Sequence, residues 1–264
     1  MPRRSPRRAL TAALLALLAA GCERAPAAPA AAGPSGQREK LGLMTSLPLY
    51  WPLGAGVEEI AAGNAPPPWQ RAALEGAYDI EPLDSLAPIP GLTPDAPATD
   101  PLAGLTRLAV IQPRGLSPAD NVALDDWVRG GGHVLLVLDP FLTGDYDLPL
   151  GDPRRPADTA LIPPVVARWG MAVSYTVHET EEAYYGTRDL PGGLVLPFAH
   201  PGLVRILPEG AKQCALAGGS DIMATCRIGK GKVTLLVDAA IFEDAEQAGE
   251  GGAGLRALVA GVLG

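Results

Sequence analysis

The sequence predicts an α/β domain with a mostly parallel central sheet and a part rich in short β-strands towards the C-terminus. Residues 133–138 are continuously apolar, which is typical of a central parallel strand covered on both faces. A helix is predicted directly before this strand, since Ser117 is a good N-cap, Pro118 suits the first helical position and the glycines at 130–132 would end it. Other apolar runs alternate with helical patterns, and this alternation indicates parallel strands joined by right-handed crossovers.

The remaining elements follow in chain order from the same kinds of pattern. Strands are predicted over residues 41–46, 78–83, 108–111 and 171–175. Helices are predicted from residue 69 onwards and over residues 159–169. The C-terminal part should contain short strands over residues 194–196, 203–206 and 232–237, and a closing helix over residues 253–262. We expect residues 38–264 to form a single α/β domain, because a chain of this length buries about 70% of its unfolded surface in one core.

The predicted helix after Ser117 has an apolar face that should lie against the sheet. Val122, Leu124, Trp127 and Val128 recur at helical spacing. We therefore expect these side chains to be buried between the helix and the strands.

The N-terminal residues predict a secretory signal peptide over residues 1–21. A segment with arginines at positions 3, 4, 7 and 8 precedes an apolar run that is too short to span a bilayer. The ending Leu-Ala-Ala-Gly-Cys at residues 18–22 resembles the lipobox of bacterial lipoproteins. The resemblance implies that the thiol of Cys22 is lipidated and that cleavage makes Cys22 the mature N-terminus. An ordinary signal peptide with a chance cysteine is the alternative.

Residues 22–37 are rich in alanine and proline and carry little charge, so they are predicted to form a flexible tether. The lipoprotein resemblance implies a lipid-anchored protein of the bacterial cell envelope on the periplasmic face, because each buried CH2 of an acyl chain contributes about 0.8 kcal/mol. Glu23 directly follows Cys22 and favours the inner membrane over the outer one.

The charge of the mature chain argues against nucleic acid as a partner. Removal of the signal peptide takes the 21 basic residues to 17, against 29 acidic residues, which is a net charge of −12. Such a surface repels phosphate backbones, and no basic stripe is evident along the sequence. The membrane, reached through the lipid anchor, is the expected partner instead.

Cys214 and Cys226 flank a turn signal at residues 217–221. If the flanking apolar runs pair as a hairpin centred near residues 219 and 220, the two cysteines lie nearly opposite each other. The sequence leaves two alternatives open, a disulfide across the hairpin and two buried free thiols.

Residues 124–140 read Leu-Asp-Asp-Trp-Val-Arg-Gly-Gly-Gly-His-Val-Leu-Leu-Val-Leu-Asp-Pro. This stretch resembles the helix, glycine turn and strand of a periplasmic domain found in ABC-type transport auxiliary proteins, including the gliding-motility auxiliary component. Residues 166–170 and 229–238 support the resemblance, which covers most of residues 41–245. It implies a flavodoxin-like three-layer fold similar to class I glutamine amidotransferases. It also implies an auxiliary or binding component of an ABC-type transport system, with transporter subunits or another envelope protein as partner.

The sequence favours a protein that is not an enzyme. An amidotransferase needs a cysteine in Gly-x-Cys-x-Gly on a sharp turn after a strand, and neither Cys214 nor Cys226 has those glycines. An alternative is an envelope hydrolase that uses an acidic loop after the central strand. A third reading, a solute-binding lipoprotein, is disfavoured because such proteins usually have two lobes.

The acidic loop after the central strand is the predicted ligand or partner crevice. Its candidate residues are Asp139, Asp145, Asp147 and Asp152. They follow the carboxyl end of the strand, where open α/β sheets bind ligands. A calcium loop is not predicted, because Pro149 and Leu150 occupy positions that would need an oxygen ligand and a glycine.

The histidines His133, His178 and His200 are isolated in the sequence, so no metal site is predicted. Neither the motifs nor the resemblance implies a cofactor. Gly229-Lys230-Gly231-Lys232 predicts a tight turn with exposed lysines rather than a phosphate-binding loop, because a strand and not a helix follows it.

Overall fold

A computed structural model describes residues 38–93, 95–175 and 185–264 of the protein. Residues Arg38–Gly264 form one compact unit. The predicted signal peptide, Cys22 and the tether lie outside the described residues, as does His178. Among the residues that are described, no helix has the length and apolar character needed to cross a membrane.

The fold is a mixed α/β arrangement around a seven-stranded, mostly parallel sheet. Its strands are β1 Glu39–Thr45, β2 Tyr78–Pro82, β3 Arg107–Ile111, β4 His133–Val137, β9 Cys214–Leu216, β10 Met223–Ile228 and β11 Gly231–Leu236. They lie in the order β2-β1-β3-β4-β11-β10-β9. Strands β2, β1, β3, β4 and β11 run parallel, and β10 and β9 are antiparallel to their neighbours. The predicted mixed α/β class with a mostly parallel sheet is confirmed.

Strand β4 lies in the middle of the sheet, between β3 and β11. Leu135 and Leu136 at its centre are fully buried, as are Ala109 and Val110 of β3. Continuous apolar runs therefore mark these strands because both faces of the sheet are covered.

The helices are α1 Val57–Ala61, α2 Trp69–Glu75, α3 Pro118–Gly130, α4 Pro164–Arg168, α5 Ala240–Glu243 and α6 Ala253–Leu263. Helix α2 packs against α6, and α3 packs against α4. Helix α6 also contacts β4. The closing helix predicted over residues 253–262 is therefore present, and it covers the central strand.

Helix α3 begins at a capping box, as its sequence predicts. The Ser117 hydroxyl accepts a hydrogen bond from the amide of Asp120 (3.1 Å), and the Asp120 carboxylate accepts one from the amide of Ser117 (3.0 Å). The helix ends at Gly130, and the residue after it, Gly131, has a φ of +129° that favours glycine. A side chain at the next residue, Gly132, would collide with the ring of Trp127.

The predicted apolar face of α3 is wrong at Val122, which is 62% exposed. The face that is buried contains Leu124 and Val128, one turn apart, together with Asp120 and Asp125. Val122 lies two residues from Leu124 and therefore about 200° away around the helix. Asp120 and Asp125 can be buried on this face because their carboxylates accept hydrogen bonds from donors inside the protein.

The helix predicted over residues 159–169 is shorter than expected and spans Pro164–Arg168. Pro163 and Pro164 are adjacent, and a residue before proline is disfavoured in the helical conformation. The strand β5 that follows, Met171–Ser174, does not join the central sheet. It pairs with β8, Leu203–Ile206, in a separate two-stranded antiparallel sheet, and β6 Tyr185–Leu190 pairs with β7 Leu194–Ala199 in another.

A disulfide joins Cys214 and Cys226, the pairing that the sequence left open. The two residues are direct register partners of the antiparallel strands β9 and β10. Gly229 and Lys230 form the tight turn between β10 and β11.

Candidate functional site

Buried polar side chains follow the carboxyl ends of three neighbouring parallel strands. Gln112 comes directly after β3, Asp139 follows β4 by two residues, and Asp238 follows β11 by two residues. Each of these side chains is at most 1% exposed. Since β3, β4 and β11 are adjacent and parallel, the sheet brings the three residues to one edge.

Asp139 joins the end of β4 to the end of β11. One carboxylate oxygen accepts a hydrogen bond from the amide of Phe141 (2.8 Å), and the other accepts one from the amide of Ala239 (2.7 Å). Both hydrogen bonds are buried or partly buried. The two amide donors take the place of the water that burial removes from the carboxyl group.

Asp238 makes the corresponding connection on the other side. Its oxygens accept hydrogen bonds from the amide of Ala199, at the end of β7 (2.7 Å), and from the amide of Ala240, at the start of α5 (2.8 Å). The side sheet that contains β7 is therefore fastened to the carboxyl edge of the central sheet.

Glu243, at the end of α5, holds the loop that follows Asp139. One oxygen accepts hydrogen bonds from the Tyr146 hydroxyl (2.6 Å) and the amide of Gly144 (3.0 Å). The other accepts one from the amide of Thr143 (3.1 Å). Burial, together with the negative charge of Glu243, raises the pKa of Tyr146, so this phenol stays a hydrogen-bond donor.

Gln112 occupies a backbone conformation with φ of +44°, which is uncommon for a residue other than glycine. Its amide nitrogen donates to the carbonyl oxygens of Asp139 (2.9 Å) and Ala157 (2.8 Å), and its amide oxygen accepts from the amide of Asp139 (2.8 Å). The hydroxyl of Ser46, just after β1, donates to the Gln112 carbonyl (2.5 Å). The ends of β1, β3 and β4 are thus linked through one residue, Gln112, by its side chain and its backbone carbonyl.

Two carboxyl groups of this edge titrate near neutral pH. Burial raises the pKa of Asp139 to about 7, against the opposing effect of its backbone donors and with a smaller contribution from Glu243. Burial also raises the pKa of Asp238 to about 8, and the charge of Asp139 adds to the shift. Carboxyl groups with such pKa values are partly protonated at neutral pH and are therefore suited to donating or accepting a proton.

A cavity of about 340 Å³ adjoins this edge. Its lining includes Glu243, Asp145, Tyr185, Trp69 and Gln247. The cavity is small and mixed in character, with carboxylates, an amide and aromatic rings on its walls. It can accept a polar group of a ligand or of a partner protein.

The four aspartates of the predicted crevice have different surroundings. Asp139 is buried at the sheet edge, whereas Asp145 and Asp147 are exposed. Asp152 is bound by Arg154, with 2.8 Å between a guanidinium nitrogen and a carboxylate oxygen, and this pairing lowers the pKa of Asp152 to about 2. Asp139 and Asp145 therefore belong to the edge and its cavity, and Asp152 stabilises its own loop.

Sequence reasoning did not include Asp238, Glu243, Gln112 or Tyr146 in the site. The sequence does contain a signal that could have pointed to Asp238, because an apolar strand is followed by an aspartate there, as β4 is followed by Asp139. What was missing is the position of β11 beside β4, which sets the two aspartates side by side. In the described part of the chain, no group of three or more His, Cys, Asp or Glu side chains is arranged to hold a metal ion.

No family model matches the chain, and no curated protein matches it. Among solved structures, an exo-β-1,4-mannosidase from Opitutaceae bacterium strain TAV5 is similar, with 13% identity and a TM-score of 0.49 over 86% of this chain and 36% of the mannosidase. A β-galactosidase from Rahnella sp. R3 matches with 12% identity and a TM-score of 0.41 over 76% of this chain and 29% of the galactosidase. A putative ThuA-like protein from Parabacteroides merdae matches with 13% identity and a TM-score of 0.34 over 76% and 79% of the two chains.

These matches contradict the prediction that the protein is not an enzyme, because the mannosidase and the galactosidase are enzymes, and that prediction is withdrawn. The chain spans about a third of the length of these two enzymes. TM-scores below 0.5 at such low identity transfer no activity to this chain. The carboxyl groups of Asp139 and Asp238 are the described groups whose pKa values suit proton transfer.

The buried pair makes the stability of the protein depend on pH. We expect the free energy of unfolding to fall as pH rises from about 5 to about 8. The unfolded chain has lost the protons of Asp139 and Asp238 above about pH 5, whereas the folded protein retains them until the pH passes their raised pKa values. Because the unfolded state binds fewer protons in this window, the free energy of unfolding should fall by roughly 6 kcal/mol, as measured by urea unfolding at constant ionic strength.

The double variant Asp139→Asn/Asp238→Asn should flatten this dependence, since neither site then titrates. Asp152→Asn is the matched control, because the pKa of Asp152 is about 2 and its charge does not change in the window. Wild-type stability that stays constant or increases from about pH 5 to about pH 8 would contradict the assignment of raised pKa values to the pair.

Proposed function

We propose that this protein is a lipid-anchored component of the bacterial cell envelope that assists an ABC-type transport system from the periplasmic face of the inner membrane. The lipobox-like ending at Cys22 supports the anchor, and the resemblance of residues 124–140 supports the link to transport. The observation that carries the proposal is the local structure of that stretch. It contains α3, a glycine turn and β4, in the order that the resemblance requires.

The proposed fold is flavodoxin-like. The parallel strands lie in the order β2-β1-β3-β4-β11, which corresponds to the order 2-1-3-4-5 of doubly wound flavodoxin-like sheets once the inserted side strands are left out. In such sheets the ligand crevice lies outside the carboxyl ends of the strands. The edge that carries Asp139 and Asp238 is the corresponding place in this protein.

We propose that this edge contacts the partner. Asp145 and Glu243 line a cavity there, and Asp145 and Asp147 are exposed. The buried carboxylates hold the surrounding loops through backbone amides, so the surface is rigid enough to recognise a partner without a large ordering cost. The occupant would be a polar segment of a transporter subunit or of another envelope protein.

The test is crosslinking in intact cells, followed by affinity purification of the tagged full-length protein from solubilised membranes. We expect the permease and ATPase subunits of one ABC system to be enriched clearly over the control. The control is residues 1–37 fused to an unrelated folded domain, which carries the same predicted signal, lipidation site and tether. The exposed double variant Asp145→Ala/Asp147→Ala should reduce the enrichment. Equal recovery of transporter subunits with the control fusion would reject the proposal.

A further inference from the structure

Basic side chains form a row across the amino edge of the sheet, opposite the edge that carries the carboxylates. Arg107 of β3 is the register partner of His133 in β4, His133 is the partner of Lys232 in β11, and Lys232 is the partner of Arg227 in β10. Register partners on adjacent strands point to the same face of a sheet. With strands about 4.8 Å apart, the row is roughly 14 Å long.

Three members of this row, His133, Lys232 and Arg227, line a cleft of about 800 Å³. Its lining includes four cationic side chains, Lys212, Arg227, Lys230 and Lys232, together with His133. Its lining contains no aspartate and no glutamate. The chain as a whole has 29 acidic and 21 basic residues, so the positive charge of this cleft is opposite in sign to the net charge of the protein. Sequence reading found no basic stripe because strands far apart in the chain supply these residues.

Arg107 is paired with Glu39 (3.0 Å), but most of the positive charge that lines the cleft is not neutralised within the described part of the protein. Lys212, Arg227 and Lys230 are exposed, and none of them forms an ion pair with another described residue. Lys232 donates a hydrogen bond to an oxygen of Gly264 (3.3 Å). Burial lowers the pKa of Lys232, and the positive charge of Arg107 lowers it further. The cleft is therefore a region of positive potential with unused donors.

The chain enters the folded unit at this same edge. Arg38 precedes β1, and β1 is parallel to β3, so the amino ends of both strands lie at one edge of the sheet. Residues 22–37 reach roughly 50 Å when fully extended. An anchor at Cys22 would thus keep the basic edge within that distance of the bilayer.

We propose that the basic cleft docks onto the phosphate groups of anionic phospholipids in the membrane that carries the lipid anchor. Lysine and arginine near an anionic bilayer gain favourable electrostatic energy that decays within a Debye length. Docking at the amino edge turns the carboxyl edge, with Asp139 and Asp238, away from the bilayer. The inference rests on the anchoring part of the proposed function and adds an orientation to it.

The test is co-sedimentation of the polypeptide 22–264 carrying Cys22→Ser, which contains the whole folded unit and no lipid. Vesicles of phosphatidylcholine alone are compared with vesicles in which about one third of the lipid is phosphatidylglycerol. We expect binding to the anionic vesicles only. The variant Lys212→Gln/Arg227→Gln/Lys230→Gln should bind about a hundredfold more weakly, since each basic side chain near the surface is worth about fivefold.

Two control variants separate a specific surface from net charge. Arg154→Gln/Arg188→Gln/Arg205→Gln removes the same charge from exposed positions that do not line the cleft, and it should weaken binding by less than about fivefold. Lys212→Arg/Lys230→Arg keeps the charge and should bind as the wild type does. Equal losses in the two glutamine variants, or equal binding to both kinds of vesicle, would overturn the inference.

Inorganic phosphate at matched ionic strength distinguishes a lipid surface from a site for a free anion. Displacement from vesicles by phosphate at about millimolar concentration would show a free-anion site and would also overturn the inference. Fatty-acid labelling of the full-length chain in cells tests the anchor separately. If the full-length chain is labelled in cells but the unlipidated polypeptide does not bind anionic vesicles, the docking surface is rejected and the proposed anchor is retained.

Discussion

Cys22→Ser is expected to abolish incorporation of a fatty-acid analogue into the protein and to leave a larger, uncleaved precursor. The serine hydroxyl cannot form the thioether on which lipidation of a lipobox cysteine depends. Without acyl chains the protein also loses the roughly 0.8 kcal/mol per CH2 that would hold it in the bilayer. Labelling in cells, followed by gel analysis of the purified full-length chain, measures both effects.

The double variant Cys214→Ser/Cys226→Ser is the matched control for this experiment. These cysteines form the disulfide, so their replacement should leave labelling at the wild-type level. Label that persists in Cys22→Ser, or that disappears in the double variant, would defeat the lipoprotein assignment.

Trp169→Ala is expected to destabilise the folded protein by about 4 kcal/mol. Trp169 is fully buried, and its indole nitrogen donates to the carboxylate of Asp125 (2.9 Å). The same carboxylate accepts hydrogen bonds from Arg168 (2.7 Å) and Arg129 (3.0 Å), so it joins α3 to α4. Truncation opens a cavity and removes one donor from a buried carboxylate, and the free energy of unfolding in urea measures the loss.

Trp169→Phe divides this loss into its parts, because phenylalanine keeps most of the packing and lacks the indole donor. We expect it to cost about 1–2 kcal/mol. Trp51→Ala is the control at a tryptophan that is 40% exposed, and it should cost less than about 1 kcal/mol. Similar losses for Trp51→Ala and Trp169→Ala would contradict the placement of Trp169 in the core.

The elements that could be predicted are those whose signals lie within a few residues of sequence. The capping box at Ser117 and the apolar run of β4 are of this kind. Sheet membership could not be predicted in the same way. Residues 171–175 read locally as a strand after a helix, as the strands of the central sheet do, yet β5 pairs with β8 outside the central sheet. Pairing depends on contacts between segments far apart in the chain, and a local pattern does not encode them.

The candidate site was predictable to the same extent. Asp139 was found because the strand before it is unmistakable, and the end of such a strand is a common place for ligands. Asp238 and Glu243 were not found, because β11 reads as one of several short C-terminal strands until it is placed beside β4. Gln112 gives no local signal at all, since its role depends on a positive φ and on partners at Asp139 and Ala157.

Strand β9 ends the sheet with three residues, Cys214–Leu216, and the disulfide to Cys226 fastens it there. Three residue pairs alone would fray, and a frayed edge offers free backbone groups to other unfolded chains. Thiols remain reduced in the cytosol and pair in oxidising compartments. If the chain is exported as we propose, this disulfide would form only after the chain has crossed the membrane, and completion of the fold would then depend on export.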